Sequence, residues 1–180
     1  TVQQRLQAAS KGLQVHVVGL SIHHASVDVR ERLAIPEAEW TLAATDIVGD
    51  GTIVAEAAVL STCNRFEVYY SATDARPALA HISQYLSQRS GLPISVLRQN
   101  LFTLSSEDCV EHLFRVSGGL DSLVVGEGQI LSQVRQCYMH AASETGKGGK
   151  VLSRLLNAAV SAGKRVRSET NISKGSVSIS

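Results

Sequence analysis

The stretch Glu56-Ala-Ala-Val-Leu-Ser-Thr-Cys-Asn-Arg-Phe-Glu-Val-Tyr-Tyr-Ser-Ala72 holds two strands and the turn between them. Glu56 to Leu60 is a short apolar run of the kind that makes a buried strand. Phe66 to Ala72 alternates in character and is rich in aromatic residues, as a second strand requires. Ser61-Thr62-Cys63-Asn64 is a short polar connector, so the pair closes as a hairpin with Cys63 at its tip. Upstream, Leu13-Gln-Val-His-Val-Val-Gly-Leu20 reads as a β-branched strand bounded by glycine. Between them Pro36 opens a helix, Glu37 and Glu39 favour its positive end, and Gly49-Asp-Gly51 stops it. Downstream, a helix from about Arg76 to Arg89 has Pro77 early and Gly91 just beyond its end; Gln99 to Leu104 supplies a last strand.

The resulting order, β-α-β-β-α-β, predicts an α+β chain with a ferredoxin-like core over residues 13–104, its helices covering one face of an antiparallel sheet. Residues 105–180 read as helical. Ser105-Ser-Glu-Asp108 offers a cap and an acidic first turn for a helix to about Val116. A second helix runs from about Gly126 to Thr145. A third, the start of a long spinal helix, spans Val151 to Glu169 with Val151, Leu152, Leu155, Leu156, Ala159 and Val160 on one stripe.

A length of 180 residues with 44% hydrophobic and 18% charged residues supplies a core and excludes wholesale disorder. The longest apolar-leaning run, 55–61, is too short to cross a bilayer, so no membrane insertion is expected. No secretory signal opens the sequence, although a removed transit peptide would leave no trace. Three widely spaced cysteines, Cys63, Cys109 and Cys137, suit a reducing compartment better than a disulfide framework. The net charge of +1 hides an asymmetry: from Arg135 onward eight basic residues face two acidic ones, a net of +6 against −5 on the rest. Such a segment is either a solvated helix face or a contact for a polyanion such as nucleic acid.

Cys63 is the sharpest chemical candidate, because it lies in a polar turn with the cation Arg65 two residues away, and a nearby positive charge favours the nucleophilic thiolate. The competing reading is an inert turn cysteine. Cys109 and Cys137 fall on apolar helical stripes and read as core. Cys109 with His112, and His23-His24, are the candidate metal ligands, but neither zinc-finger spacing nor His-Glu-x-x-His occurs, and no metal is expected. Gly118-Gly119 and Gly126-Glu-Gly128 match neither G-x-G-x-x-G nor G-x-x-x-x-G-K-[ST], so no nucleotide fingerprint is present.

Ser61-Thr62-Cys63-Asn64-Arg65-Phe66-Glu67-Val68-Tyr69 resembles the signature loop of the glutamyl-tRNA reductases, which open tetrapyrrole synthesis toward haem and chlorophyll. Gly19 to Leu33 is similar to that family's N-terminal motif, and His112 to Val134 to its central one. The resemblance implies an NADPH-dependent oxidoreductase acting on glutamyl-tRNA. Cys63 would attack the aminoacyl ester, leaving a thioester that hydride reduces to glutamate-1-semialdehyde. Thr62, Asn64 and Arg65 would hold the glutamyl group, His112 would influence Cys63 as base or orienter, and Ser122, Glu127, Gly128, Gln129 and Gln133 match further substrate-contacting positions. The family pattern is a V-shaped homodimer whose NADPH-binding and dimerisation domains follow the catalytic one; their glycine signature does not occur in these residues. The expectation is therefore that this chain forms the thioester and leaks it to water without completing the reduction.

Gly128 stands where many bacterial members carry proline, and Gly-Glu-Gly-Gln is similar to plant, algal and cyanobacterial wording. That implies a plastid stroma, with a cyanobacterial or bacterial cytoplasm as the alternative. In a plastid, regulatory binding proteins, haem feedback and the downstream aminomutase become expected partners. Two readings of another class stand beside this one. A non-enzymatic RNA-binding module would use the basic helix, yet the seven Phe and Tyr residues form no RNA-stacking motif. A thiol or metal sensor would use Cys63, Cys109 and His112.

Overall fold

Strand β1 (Gln14–Leu20) lies between β3 (Arg65–Ala72) and β4 (Leu101–Ser105), antiparallel to both, and β2 (Glu56–Thr62) completes the sheet beyond β3. This computed structural model describes residues 12–20, 23–122 and 128–172. The strand order β2-β3-β1-β4 is the ferredoxin-like arrangement expected from the sequence. The lead segment at 1–11 and the tail at 173–180 lie outside the described residues.

The helices are α1 (Val27–Leu33), α2 (Trp40–Val48), α3 (Ala75–Ser90), α4 (Ile94–Asn100), α5 (Ser106–Ser117), α6 (Gly128–Ala142) and α7 (Gly149–Glu169). Two of them, α1 and α4, were not expected. Each has seven residues, two turns at most, so neither shows a helical period in its sequence. Ser26 starts α1 by accepting from the Val29 amide at 3.3 Å. Pro93 precedes α4, which consumes Gln99 and Asn100 and delays the last strand to Leu101. The helix expected from Pro36 begins as a 3-10 turn, Glu37–Glu39, and becomes α-helical at Trp40.

The expectation that helices cover one face of the sheet is corrected. All but the first residue of β3 is buried, on both faces, because α-helical layers lie on each side. On one side Ser61 of β2 accepts from the Ile35 amide at 3.0 Å in the segment joining α1 to α2. His81 of α3 meets the Ile47 carbonyl of α2 at 2.8 Å, which docks these two helices. The opposite side is covered by α5 and α7. There the buried carboxylate of Glu56 accepts from the Val151 and Leu152 amides, at 3.0 and 3.3 Å, and from the Ser71 hydroxyl at 2.7 Å. A carboxylate at a helix start satisfies amides that have no partner within the helix and complements its dipole. Helix α6 packs on α7 and reaches α2, where His140 meets Thr41 Oγ1 at 3.1 Å.

Candidate active site

The β2–β3 register pairs Thr62 with Arg65, so Cys63 and Asn64 form the whole turn of a two-residue hairpin. The Asn64 amide donates to Thr62 Oγ1 at 3.3 Å, which closes the turn, and Cys63 is exposed at its tip. A cleft of about 280 Å³ opens beside it, lined by Thr62, Cys63, Asn64 and Arg65 from the hairpin, by Leu20 from the end of β1, and by Arg30 and Glu31 from α1.

Arg65, Glu67 and Tyr69 alternate along β3 and so share the face that meets α5. Glu67 is fully buried at their centre. It accepts from Arg65 Nη1 and His112 Nε2 on one oxygen, the latter at 2.9 Å, and from the Tyr69 hydroxyl on the other. Burial alone would push this carboxyl up; the His112 hydrogen bond and the Arg65 charge outweigh it and hold the group below its ordinary value. An ionised carboxylate accepts only, so the His112 proton toward it sits on Nε2, leaving Nδ1 as the ring's other nitrogen. Burial and the Glu67 charge push the Tyr69 phenol well above its usual range, which keeps it a neutral donor.

Space for Glu67 comes from Gly19, its register partner on β1. A Cβ at Gly19 would lie 2.8 Å from the Glu67 side chain and 2.8 Å from the Phe102 ring. That ring packs edge-on against His112 with centroids 5.2 Å apart. Arg65 reaches the other way as well, donating through Nη2 to the Asp121 carbonyl and carboxylate, both at 2.9 Å. The structure thus joins Cys63, Thr62, Asn64, Arg65 and His112 at one end of the sheet, with Ser122 adjacent to the Asp121 that Arg65 holds.

Not every expected residue converges there. Gly128 and Gln129 open α6 and Gln133 stands one turn further on, with no hydrogen bond to the hairpin among the described residues. Glu127 lies outside the described residues. Cys109 and Cys137 are buried; burial and the Glu67 charge push the Cys109 thiol up to about 12, and Cys137 moves the same way. Among the described residues no three His, Cys, Asp or Glu side chains gather into a metal-binding group, and no helix is long and apolar enough to cross a membrane. The residues that sequence reasoning passed over are Glu67, Tyr69, Asp121 and Arg30. The signal available for Glu67 was an acidic residue inside an otherwise apolar strand, a placement rarely left unpaired.

Residues 18–170 match the family described as glutamyl-tRNAGlu reductase, N-terminal domain. The chain belongs to that family. Within it, the chain is 49% identical to probable glutamyl-tRNA reductase 3, chloroplastic, of Arabidopsis thaliana, over 91% of the chain and 31% of the relative. It is 51% identical to glutamyl-tRNA reductase of the cyanobacterium Crocosphaera subtropica, over 93% of the chain and 39% of the relative. The solved glutamyl-tRNA reductase of Methanopyrus kandleri superposes with a TM-score of 0.72 at 32% identity, covering 91% of this chain and 37% of that one. The domain therefore spans about a third of the length of the relatives it matches.

Proposed function

We propose that this chain is the acyl-transfer domain of a glutamyl-tRNA reductase, with Cys63 as the nucleophile. The reading rests above all on one observation: the exposed cysteine of a two-residue hairpin turn borders a cleft, and Arg65, which closes that turn and lines the cleft, is tied through Glu67 to His112. In this reading the Cys63 sulfur adds to the ester carbonyl carbon of glutamyl-tRNA. The bond to the terminal ribose oxygen breaks, that oxygen takes up the proton the thiol gave, and a thioester remains on Cys63. Thr62, Asn64 and Arg65 border the glutamyl group. Arg65 is also tied to Glu67 and Asp121, so it fixes the turn against the loop that carries Ser122. His112, held through Nε2 by Glu67, would act on Cys63 as base or orienter, with Nδ1 as the ring nitrogen not bound to Glu67.

The described residues do not fit NADPH. No dinucleotide fingerprint follows any of the four strands, and Gly118-Gly119 ends a helix instead of opening one. The hydride step, which would complete reduction to the semialdehyde, is therefore not assigned to side chains of this chain. The same reading extends to tetrapyrrole synthesis in a plastid or a cyanobacterium, and to a homodimeric full-length enzyme with plastid regulatory proteins and the downstream aminomutase as partners. The basic residues of α7 would face the tRNA backbone.

The test is intact-protein mass spectrometry after acid quench of the chain with glutamyl-tRNA and no NADPH. A glutamyl-sized increase is expected on the wild type and on Cys109→Ser, and none on Cys63→Ser. Absence of both adduct and glutamate release from the wild type overturns the proposal.

A further inference from the structure

The two oxygens of Glu67 are served unequally. Oε1 accepts from both Arg65 Nη1 and His112 Nε2, whereas Oε2 accepts from the Tyr69 hydroxyl and from no other donor among the described residues. Tyr69 is itself fully buried, and burial with the Glu67 charge keeps its phenol neutral. The surrounding elements offer no substitute for that hydroxyl. Strands β1 and β4 bring only Gly19 and the Phe102 ring to the carboxylate, and no buried side chain of α7 is polar. The thiols of Cys109 on α5 and Cys137 on α6 are held neutral by burial and by the Glu67 charge. Asp121 meets Arg65 from the far side, with its own carboxylate half-exposed. An ionised oxygen inside a core is tolerated only while a donor faces it.

Taking Cys63 as the acceptor of the acyl group, we infer that Tyr69 is a positioning residue for that step: its hydroxyl keeps Glu67 ionised, and the ionised carboxylate holds Arg65 and His112 in place. Tyr69 has no exposed surface, so it reaches neither the cleft nor a substrate and acts only through Glu67. When Glu67 takes up a proton, Arg65 loses its buried counter-charge and is left with Asp121 alone, while the bond that orients the His112 ring weakens. The turn that carries Cys63 is then no longer tied to α5 through a charged pair. Acyl transfer should therefore fail in acid where Glu67 protonates, and Tyr69 sets that limit. The direction is fixed by the chemistry: a donor to the charged form favours it, so its removal lets the carboxyl take its proton at higher pH. Phenylalanine fills the same space without the hydroxyl, so the effect is separable from packing.

The deciding experiment labels the chain with glutamate enriched in 13C at the side-chain carboxyl, which leaves Asp121 silent, and follows Glu67 by NMR from neutral pH into acid. The Glu67 signal is the one missing from Glu67→Gln. Wild type, Tyr69→Phe and Val17→Ala are compared, over the range in which circular dichroism shows each folded. Val17 is fully buried and opposes Tyr69 in the β1–β3 register, so its truncation loosens the same part of the core and removes no donor. In Tyr69→Phe the Glu67 carboxyl is expected to titrate about one pH unit higher than in the wild type, and the acid limb of Cys63 acylation by glutamyl-tRNA to move with it. Val17→Ala should lower the melting temperature and leave both unmoved. A Glu67 titration that stays in place in folded Tyr69→Phe, an equal shift in Val17→Ala, or an acid limb that does not follow the titration overturns the inference. Tyr69→Met replaces Tyr69→Phe if the latter does not fold; loss of the fold in both makes Tyr69 a residue of the core alone and overturns it too. If the wild type is acylated at no pH, the acyl-transfer reading falls and the positioning role with it, whereas acylation with an unmoved titration overturns the role of Tyr69 alone.

Discussion

Glu67→Gln removes one charge from a fully buried site and almost no volume. In the wild type the carboxylate accepts from Arg65, His112 and Tyr69, and Arg65 retains only 9% of its side-chain exposure. After substitution the amide oxygen can still accept from Arg65 and His112, and the Tyr69 hydroxyl can rotate to accept from the new NH2. What is lost is the counter-charge of a buried guanidinium, which Asp121 compensates from one side only. Breaking a buried pair by removing one partner costs about 3–5 kcal/mol, and the surviving bonds place this case near the lower limit, about 3 kcal/mol. The pH dependence has a definite sign. The folded-state carboxyl lies below its ordinary value, so its contribution is present above the unfolded value of about 4.3 and is lost as pH falls through the folded value. Urea unfolding followed by circular dichroism at pH 7 should show the full difference between wild type and variant. Repeated at steps toward pH 3, the two curves should converge. Equal stability at pH 7, or a gap that stays constant into acid, would refute the account of Glu67 as an ionised hub.

Further outcomes follow from the same geometry. In the native chain a thiol reagent at pH 8 should modify one cysteine, Cys63, because Cys109 and Cys137 are buried with thiols driven upward; denaturant should release all three, which peptide mapping will assign. Gly19→Ala would place a methyl 2.8 Å from both Glu67 and Phe102, and should destabilise by about 1–3 kcal/mol and slow Cys63 acylation, measured by urea titration and acid-quench mass spectrometry. Gly149 has φ +53°, and a Cβ there would collide with the Glu56 carboxylate that caps α7. Gly149→Ala should therefore cost more than about 2 kcal/mol in denaturant unfolding, and a smaller loss would show that this cap does not hold the helix.

The hairpin and its exposed cysteine were legible in the sequence because a short polar connector between two strand-like runs is a local signal. The role of Arg65 was not. Its neighbourhood to Cys63 along the chain suggested a cation acting on the thiol, whereas the pleat turns its side chain toward α5, where Glu67 and Asp121 engage it. His112, 45 residues beyond Glu67, meets it only after α5 has packed on the sheet, and no local pattern encodes that contact. The second helical layer was also hidden. The alternation in Phe66 to Ala72 reads as one buried face, but the polar members Glu67 and Ser71 are buried too, each satisfied by a partner from across the core. Polar residues in a strand mark a solvent face only when nothing supplies their hydrogen bonds.

Glu56 and Glu67 make the same point about how the site is held. The β2–β3 register puts both on the sheet face covered by α5 and α7, one at the start of the hairpin and the other near its tip. An apolar helix layer can slide on an apolar sheet at little cost, since burial is non-directional. Buried carboxylates remove that freedom, because any shift leaves a desolvated charge without its donors. Glu56 fixes the N-terminal turn of α7 against β2, and Glu67 fixes His112 of α5 against β3. The turn between those anchors carries Cys63, so its placement beside the cleft is set by two buried, hydrogen-bonded carboxylates within the core, although the turn itself is exposed. Stability and acyl transfer should therefore fail together when either anchor is neutralised.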